Sequence, residues 1–388
     1  MAGRSIRRSK VVIVGGGVAG LECLLALRAL TRELTDLTLI SQSPQFVYRP
    51  MATVLAFNEM PPPAYDLRQI TADLGVRFHG EAIDAVLPPA QAVRLKSGRE
   101  VSYDALVLAM GARADVAVPG ALTFRDQRDV PRFRGLLDLL EARTIERLVF
   151  AVPSRHCWSL PAYELALFAA MLCAKRGIKA DLSVVTPEDS PLAVFGREPS
   201  RVVASLLADR GIQFVAGPLA HSVTRDGSLD LAFNGSLPAD RVVALPELHV
   251  PRISGVPGTW GGFVPTLPNG RVEGVRHVYA AGDLTTFPVK QGGLAAQQAD
   301  RVAYTIAAGF GARIKEMRPQ PILRARLLTG DGALVLRTEL DSLGQPTASS
   351  VQHLESRRAE HLKVFGRYLT PYLSTYASGP GGTTVAVA

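Results

Sequence analysis

The chain has 388 residues, with 43 Lys and Arg against 35 Asp and Glu, so its formal net charge is +8. This length predicts two or three domains. The basic residues are spread along the chain without a block of about five or six like charges, and aromatic residues make up only 6%. A nucleic-acid partner is therefore not expected, because few rings are available to stack on bases.

The number of cysteines and the length of the apolar stretches indicate the cellular compartment of the protein. Three cysteines, Cys23, Cys157 and Cys173, are too few for a disulfide framework, which predicts a reducing compartment. Basic residues precede an apolar run at the N-terminus, but glycines at 15–17 interrupt this run before any cleavage site. No uninterrupted apolar stretch reaches about 18 residues. We expect a cytoplasmic protein, with peripheral contact at the inner face of the membrane as an alternative.

The first predicted elements form a β–α–β unit. A buried parallel strand is expected over 10–14, because apolar residues follow one another there without polar interruption. The glycine-rich turn GGGVAG and an apolar helix come next, and a second strand is predicted over 37–41. This order is typical of the unit that binds dinucleotides.

The turn of this unit carries the glycine pattern G-x-G-x-x-G. Gly15 makes the tight turn, Gly17 lets the backbone approach a pyrophosphate, and Gly20 lets helix and strand pack closely. Val18 and Ala19 start the helix, whose N–H groups and dipole favour a phosphate. The pattern therefore predicts a nucleotide site; a glycine turn without a ligand is the alternative.

The second strand of the unit lacks one expected residue. In dinucleotide-binding folds this strand ends in Asp or Glu, which binds the ribose hydroxyls. Here it ends in Ser41, followed by Gln42 and Ser43. The ribose contacts must therefore be neutral hydrogen bonds or come from elsewhere in the chain.

The middle of the chain contains a second unit of this kind. Short strand patterns over 76–110 lead to a linker over 111–121 that contains Gly and Pro. A strand, a helix and a strand are then predicted at 147–153, 161–176 and 182–188. No glycine occurs between Ala151 and Gly177, so the backbone there cannot approach a pyrophosphate closely. NAD(P)H binding in the usual mode is not expected.

A last apolar strand is predicted over 277–283, and it delivers the pair Gly282-Asp283. A helix follows at 292–308, and a hairpin is predicted within 323–340 around a Thr-Gly-Asp-Gly turn.

Three motifs, GGGVAG, YDALVLAMGA and HVYAAGD, occur in the order found in two-dinucleotide-binding-domain flavoproteins. The chain resembles this superfamily, the FAD-dependent pyridine nucleotide-disulfide oxidoreductases. The resemblance implies that Asp283 binds the ribityl chain of FAD and that Ala109, Gly111 and Gly282 lie at the cofactor. It also implies an α/β fold with two Rossmann-like three-layer domains. The expected parts are an FAD-binding domain at 1–117 and 246–312, a degenerate NAD(P)-type domain at 118–245 and a C-terminal region at 313–388.

Two further segments resemble parts of this superfamily that approach the flavin. FPVKQGG is similar to a segment of sulfide:quinone oxidoreductases and flavocytochrome c sulfide dehydrogenases. It implies that the positive end of the helix at Gly292 and Gly293 faces the flavin and that Lys290 adds a full charge; a solvated lysine is the alternative. FVYRPM resembles a loop near the flavin, which makes Arg49 and Pro50 candidate cofactor contacts.

Two side chains of the middle domain are candidates for chemistry. Cys157 precedes a Pro-Ala-Tyr-Glu run as in the sulfide-oxidising flavoproteins, and His156 beside it suggests a reactive thiolate. Those proteins need a second, C-terminal cysteine, but none follows Cys173, so a disulfide relay is not expected. Cys23 and Cys173 are expected to be buried. Glu164 lies about where type II NADH dehydrogenases carry a Glu near the flavin, which implies proton relay to a quinone; a carboxylate that complements the helix dipole is the alternative.

The sequence thus predicts an FAD-dependent oxidoreductase, similar to sulfide:quinone oxidoreductases, that passes electrons from an unidentified donor to a quinone or a similar acceptor. An NAD(P)H dehydrogenase with an unconventional nucleotide site and a flavin-binding partner protein with little or no redox activity are the alternatives. Small-molecule redox substrates are the expected partners, a homodimer is a further alternative, and no metal site is predicted. The aromatic and basic segment at 361–373 predicts either membrane docking or packing on its own protein.

Overall fold

The computed structural model describes residues 8–57, 64–232, 235–314, 320–354 and 363–377. The first part of the chain begins with the predicted β–α–β unit, whose strands are buried along most of their length. Its elements are β1 (Ser9–Val14), α1 (Val18–Thr31), β2 (Thr35–Ile40), β3 (Gln45–Val47), α2 (Ala52–Leu55), β4 (Ala64–Asp66), α3 (Leu67–Asp73), β5 (Arg77–His79), β6 (Ile83–Leu87), β7 (Ala92–Leu95), β8 (Glu100–Ser102), β9 (Ala105–Leu108) and β10 (Arg113–Asp115).

The middle part supplies the second β–α–β unit. The helix of this β–α–β unit starts at Leu160, and Pro161 is compatible with its first turn. It ends before Gly177, whose left-handed conformation closes the helix. The elements are β11 (Leu122–Thr123), α4 (Val130–Glu141), β12 (Arg147–Ala151), α5 (Leu160–Arg176), β13 (Asp181–Thr186), α6 (Arg197–Asp209), β14 (Ile212–Ala216), β15 (Leu219–Val223), β16 (Leu229–Ala232), β17 (Gly235–Leu237) and β18 (Arg241–Ala244). The remaining elements are β19 (Glu247–His249), β20 (Val278–Ala280), α7 (Gly292–Gly309), β21 (Ile322–Leu328), β22 (Ala333–Leu340), β23 (Pro346–Leu354) and α8 (Leu369–Ala377).

A five-stranded parallel sheet in the order β20-β9-β1-β2-β5 forms the centre of the first domain. Because β20 pairs in parallel with β9, this domain is built from two separated stretches of the chain. Helices α1 and α7 share an apolar core with one face of the sheet, and the antiparallel sheet β6-β7-β8 shares another core with the opposite face. The predicted discontinuous three-layer domain is confirmed.

The second domain repeats this architecture. Its parallel sheet has the order β11-β18-β12-β13-β14, with α4 and α5 in the apolar core of one face and the antiparallel sheet β15-β16-β17 on the other. The predicted α/β class with two Rossmann-like domains is therefore confirmed. The boundaries at 117, 245 and 312 stay predictions, although the first two lie close to the antiparallel pair β10 and β19.

The C-terminal region starts with the predicted hairpin, formed by β21 and β22, and a third strand, β23, extends it. Within the segment at 361–373, residues 361–362 lie outside the described residues. Val364, Leu369 and Leu373 are buried in the core around α1, so the described part of this segment packs on its own protein. Among the described residues, no helix combines the length and apolar character needed to cross a membrane.

Candidate functional site

The glycine turn of the first domain brings backbone against backbone at two of its three glycines. A Cβ atom on Gly15, whose φ is +117°, would lie 2.2 Å from the carbonyl oxygen of Ala109. A Cβ on Gly20 would lie 1.8 Å from the carbonyl oxygen of Gly15, whereas a Cβ on Gly17 would meet no atom within 4 Å. The turn is therefore closely packed at its ends and open beside Gly17.

Helix α1 begins at this opening. Gly17 precedes the helix without a side-chain cap, so the N–H groups of Val18, Ala19 and Gly20 have no intrahelical acceptor. Free N–H groups and the positive end of a helix dipole attract phosphate. The space beside Gly17 therefore fits a pyrophosphate.

The two glycine motifs of the first domain meet at this turn. A Cβ on Gly282 would lie 3.1 Å from the Cβ of Ala19, so the turn after β20 packs on the start of α1. Asp283 follows this turn and is partly buried. Burial raises the pKa of the Asp283 carboxyl, and the positive charges of Lys290 and Arg49 oppose this shift.

Ser41 follows the second strand beside the same turn. Its side chain is buried, and its hydroxyl donates a hydrogen bond to the carbonyl oxygen of Ser43 at 2.9 Å. A Cβ on Gly16 would lie 2.9 Å from the Ser41 hydroxyl oxygen, so Gly16 makes room for Ser41. Gly16 was not among the predicted site residues, although three consecutive glycines in the sequence indicate that side chains are excluded at this turn. The Ser41 oxygen keeps acceptor capacity for a neutral hydrogen bond to a ribose.

The other predicted cofactor contacts of the first domain lie in two loops. Gly111 follows β9 with a φ of +68° and open space around it. Arg49 and Pro50 lie in a short 3₁₀ turn. The guanidinium of Arg49 is exposed, and its Nε lies 3.9 Å from the buried carboxylate of Asp126, which follows β11 in the second domain. Arg49 is thus a charged group between the second domain and the turn that carries Asp283.

Lys290 is buried, which contradicts the alternative of a solvated lysine. Its ammonium group lies 4.0 Å from the centroid of the Phe263 ring and donates to the carbonyl oxygen of Thr285. Burial lowers the pKa of Lys290 to about 8, and the negative charge of Asp283 opposes this shift. The positive charge is therefore present below about pH 8 and is lost as the pH rises above it.

Gly292 and Gly293 begin α7, but one N–H group at the N-terminus of this helix already has a hydrogen-bond acceptor. The side chain of Gln291 accepts the N–H of Leu294 at 2.9 Å. A Cβ on Gly292 would lie 2.9 Å from Cγ2 of Val364, so the C-terminal segment packs against the start of the helix. An interaction of this helix end with the flavin stays a prediction.

Glu164 lies in the second turn of α5 and is 1% exposed, so it is not the first-turn carboxylate that the dipole alternative requires. Its carboxylate accepts hydrogen bonds from the hydroxyl of Thr53 at 2.7 Å and from the N–H of Leu328 at 3.0 Å. The ammonium of Lys363 lies 2.7 and 2.6 Å from its two oxygens. Both domains and the C-terminal region therefore meet at Glu164.

Cys157 and Lys290 line one small cleft of about 50 Å³ between the two domains. The structure contradicts the predicted thiolate in a cationic setting: burial raises the pKa of Cys157 to about 12, and the carboxylates of Glu188 and Glu247 add to this shift. The thiol donates to the carbonyl oxygen of Pro246 at 3.5 Å. Cys157 is therefore a neutral thiol near pH 7.

Comparison with known proteins identifies the family. A family model described as pyridine nucleotide-disulphide oxidoreductase matches residues 9–303. The chain belongs to this family. Among curated proteins, the sulfide-quinone reductase of Aquifex aeolicus (strain VF5) is 28% identical over 261 residues, which is 63% of this chain and 59% of that protein. The alternative NAD(P)H-ubiquinone oxidoreductase C1 of Arabidopsis thaliana, chloroplastic/mitochondrial, is 27% identical over 250 residues, 58% and 47% of the two chains.

The match thus spans less than two thirds of each curated relative. Solved structures extend the likeness in fold. The sulfide:quinone oxidoreductase of Aquifex aeolicus superposes with a TM-score of 0.80 at 22% identity, over 89% of this chain and 87% of that one. A ferredoxin reductase from Rhodopseudomonas palustris gives 0.65 at 20% identity, over 86% and 83%. These two solved proteins thus share the fold of the chain.

Family membership confirms the predicted superfamily and the predicted cofactor, FAD. The site fits this cofactor, because the open side of Gly17, the uncapped start of α1 and the turn before Asp283 lie together. The assignment of single residues stays a prediction. The residues that would hold FAD are Gly15, Gly17, Val18, Ala19, Gly20, Ser41, Arg49, Pro50, Ala109, Gly111, Gly282, Asp283, Lys290, Gly292 and Gly293.

Replacing Asp283 by Ala is expected to weaken FAD binding by about tenfold or more, since a lost hydrogen bond to a charged group weakens binding by about 1.5–3 kcal/mol, and thereby to lower the FAD content of the purified protein. The ratio of flavin absorbance to protein concentration measures this. Asp73→Ala, which changes an exposed carboxylate on α3, should keep its flavin. An Asp283→Ala protein with full FAD occupancy would show that the residue does not hold the cofactor.

Proposed function

We propose that the protein passes electrons from a small-molecule donor through FAD to a quinone or a similar acceptor. The observation that carries the proposal is the cleft between the domains, which joins Cys157 of the second domain to Lys290 of the first. A small molecule in this cleft would lie next to the segment that follows Asp283. When bound, FAD supplies the capacity to take up an electron pair and to release it to a second substrate.

The quinone acceptor is supported by what the two curated relatives share. One is named a sulfide-quinone reductase and the other an NAD(P)H-ubiquinone oxidoreductase, so their names differ in the donor and agree in the acceptor class. The buried Glu164 supports the same acceptor class, because quinone reduction needs protons and the ion pair of Glu164 with Lys363 holds one on the ammonium, which the carboxylate can accept and pass on. We propose that Glu164 handles this proton.

The second domain favours a small donor over NAD(P)H. Glu188 follows β13, at the position where dinucleotide-binding folds hold a ribose. Its carboxylate is occupied by hydrogen bonds from the hydroxyls of Ser159 at 3.1 Å, Tyr163 at 2.7 Å and Thr186 at 3.1 Å. The glycine-free turn that follows β12 also keeps the backbone away from a pyrophosphate. An NAD(P)H dehydrogenase therefore remains the second candidate, favoured only by the Arabidopsis relative.

The residues of the cleft suggest how the donor is held. Lys290 contributes a positive charge below about pH 8, which favours an anionic donor and stabilises negative charge near it. Cys157 faces the cleft as a neutral thiol, so we propose that it contacts the donor and does not attack it as a thiolate.

A cytoplasmic location with peripheral membrane contact is consistent with a quinone acceptor, because many quinones reside in the bilayer, and we propose it on that ground alone. A homodimer stays a prediction.

An anaerobic reductant screen tests the function. The FAD-loaded protein is mixed with sulfide, small thiols, NADH or NADPH, and bleaching of the flavin absorbance is followed. We expect a small anionic reductant to bleach the flavin at least about tenfold faster than either nicotinamide cofactor. A short-chain ubiquinone analogue should then restore the absorbance. Rapid bleaching by NADH or NADPH would establish the second candidate, and failure of the quinone to restore the colour would refute the proposed acceptor.

A further inference from the structure

Two buried carboxyl groups lie between α1 and α7, apart from the residues assigned above. Glu22 on α1 is fully buried, and Asp300 on α7 is 6% exposed. The two side chains interact directly, and Oδ1 of Asp300 has no hydrogen-bond partner in the described part of the chain. Two adjacent carboxyl groups in an apolar site cannot both ionise at neutral pH, so the pair retains one proton.

Glu22 also holds the C-terminal strap, by which we mean residues 363–377. Its two oxygens accept the N–H groups of Tyr368 at 2.8 Å and of Leu369 at 2.7 Å, at the start of α8. The strap approaches so closely that a Cβ on Gly366 would lie 2.5 Å from Oε2 of Glu22. An ionised Glu22 with a protonated Asp300 suits this arrangement, because a carboxylate is a stronger acceptor than a neutral acid.

The other end of the strap lies at the candidate site. Lys363 forms the buried ion pair with Glu164. The next residue, Val364, donates its N–H to the hydroxyl of Tyr48 at 2.6 Å and packs on Gly292 at the start of α7. The position of Lys363 therefore depends on how firmly the strap is docked.

We propose that Glu22 and Asp300 are positioning residues for this site: the proton they share keeps the strap on α1 and α7, and thereby keeps Lys363 on Glu164. If the proton leaves, two negative charges face each other in an apolar site. Hydration of the pair relieves this repulsion, and hydration requires the strap to lift. The role of Glu164 rests on the proposed function, whereas the docking of the strap does not.

The surroundings do not neutralise the pair. Burial raises the pKa of Asp300 to about 8, the charge of Glu22 adds to the shift, and Arg367 opposes it. The guanidinium of Arg367 donates to the hydroxyl of Tyr304 at 3.1 Å and lies over that ring, without an ion pair to either carboxyl group among the described residues. The titratable or charged groups that face the pair are Cys23 from α1, Tyr304 from α7, and Arg367 and Tyr368 from the strap.

The pH dependence follows from proton uptake on docking. The docked strap raises the pKa of Asp300 to about 8, whereas a hydrated pair has a lower pKa. Docking is therefore strongest at low pH and weakens as the pH rises toward about 8. The opening equilibrium changes by at most about tenfold per pH unit in this window, and it becomes independent of pH above it.

Hydrogen–deuterium exchange of the FAD-loaded full chain tests the proposal. After correction for intrinsic exchange rates, the protection factors of the Tyr368 and Leu369 amides should fall by about three- to tenfold per unit between about pH 6 and pH 8, and then level off. Asp300→Asn carries a permanently neutral donor beside Glu22, so its protection factors should stay constant over the whole range. Glu22→Gln, with one acceptor oxygen in place of two, should lower protection at every pH.

Amides of β22 serve as internal controls, since they should not follow this pH dependence. Protection of Tyr368 and Leu369 that is independent of pH in the native protein would overturn the proposal, as would an Asp300→Asn protein with the native slope. If Asp300→Asn does not fold, infrared spectra of the native protein decide the matter: a band of a protonated carboxylic acid should be present at pH 7 and disappear as the pH rises through about 8, and its absence at pH 7 would overturn the proposal. A native slope without quinone turnover would refute only the proposed function.

Discussion

Replacing Gly17 by Val should remove FAD from the protein while leaving the fold intact. Gly17 has an extended backbone with φ −88° and ψ −169°, which any residue can adopt, and a Cβ there meets no atom of the described residues within 4 Å. The folded chain therefore has room for the branched side chain. The same space is where the backbone would approach the pyrophosphate, so the new methyl groups should displace the cofactor and weaken its binding about a hundredfold or more.

Two other glycines provide matched controls. Gly135 lies on α4, where a Cβ would also meet no atom within 4 Å, so Gly135→Val should keep both flavin and stability. At Gly20 a Cβ would lie 1.8 Å from a backbone oxygen, so Gly20→Val should lose the fold itself. Flavin content and the far-ultraviolet circular dichroism of the apoproteins separate these outcomes. A Gly17→Val protein that purifies with full flavin would refute the proposed pyrophosphate position.

The domains were predictable because their signals are local. In the first unit, four adjacent apolar residues, a glycine turn and an apolar helix follow one another within residues 11–31, and each favours the structure that forms. The resemblance of HVYAAGD to a flavoprotein motif added the discontinuous pairing of β20 with β9. Strand β23 was missed because its sequence, PTASSVQHL, has little apolar alternation; it is an edge strand that stays largely accessible to solvent.

The environment of the candidate side chains was less predictable, because it depends on contacts between distant parts of the chain. The sequence places His156 beside Cys157 and suggests a thiolate, but burial raises the pKa of this thiol, and Glu188 and Glu247, from two other segments, add to the shift. Similarly, Glu164 is followed by an apolar helix in the sequence, whereas its ion-pair partner Lys363 lies 199 residues further along the chain. A short sequence motif carries no information about contacts between residues so far apart in the chain.

The ion pair of Glu164 and Lys363 leads to the second large prediction. The two side chains are 1% and 8% exposed. Replacing Glu164 by Gln leaves the ammonium of Lys363 buried without a counter-charge, which should lower the free energy of unfolding by about 3–5 kcal/mol. Lys363→Met leaves the carboxylate of Glu164 unpaired and should have a similar effect. Chemical denaturation at saturating FAD measures both changes.

The double variant Glu164→Gln with Lys363→Met separates burial of a charge from the loss of contacts. It leaves no unpaired charge, so it should be more stable than either single variant, with a coupling energy of about 2 kcal/mol or more. Asp84→Asn is the matched control for loss of an ion pair, because Lys96 and Asp84 are 64% and 40% exposed, and it should leave stability close to that of the native protein. Single variants as stable as the native protein would show that the pair is hydrated in solution.

The double variant also decides what the pair of Glu164 and Lys363 does. If this pair hands a proton to the acceptor, a folded double variant should bleach with the donor at the native rate, while its reoxidation by the quinone slows by about 10²–10⁴-fold, the usual contribution of a proton-transferring side chain. If Glu164 only joins the domains to the C-terminal region, both rates should stay native once stability is restored. Thr53 and the N–H of Leu328 donate to different oxygens of the carboxylate. Gln can accept the N–H of Leu328 through its amide oxygen and donate to the hydroxyl of Thr53 through its amide nitrogen, so the substitution changes the proton capacity of the site more than its shape.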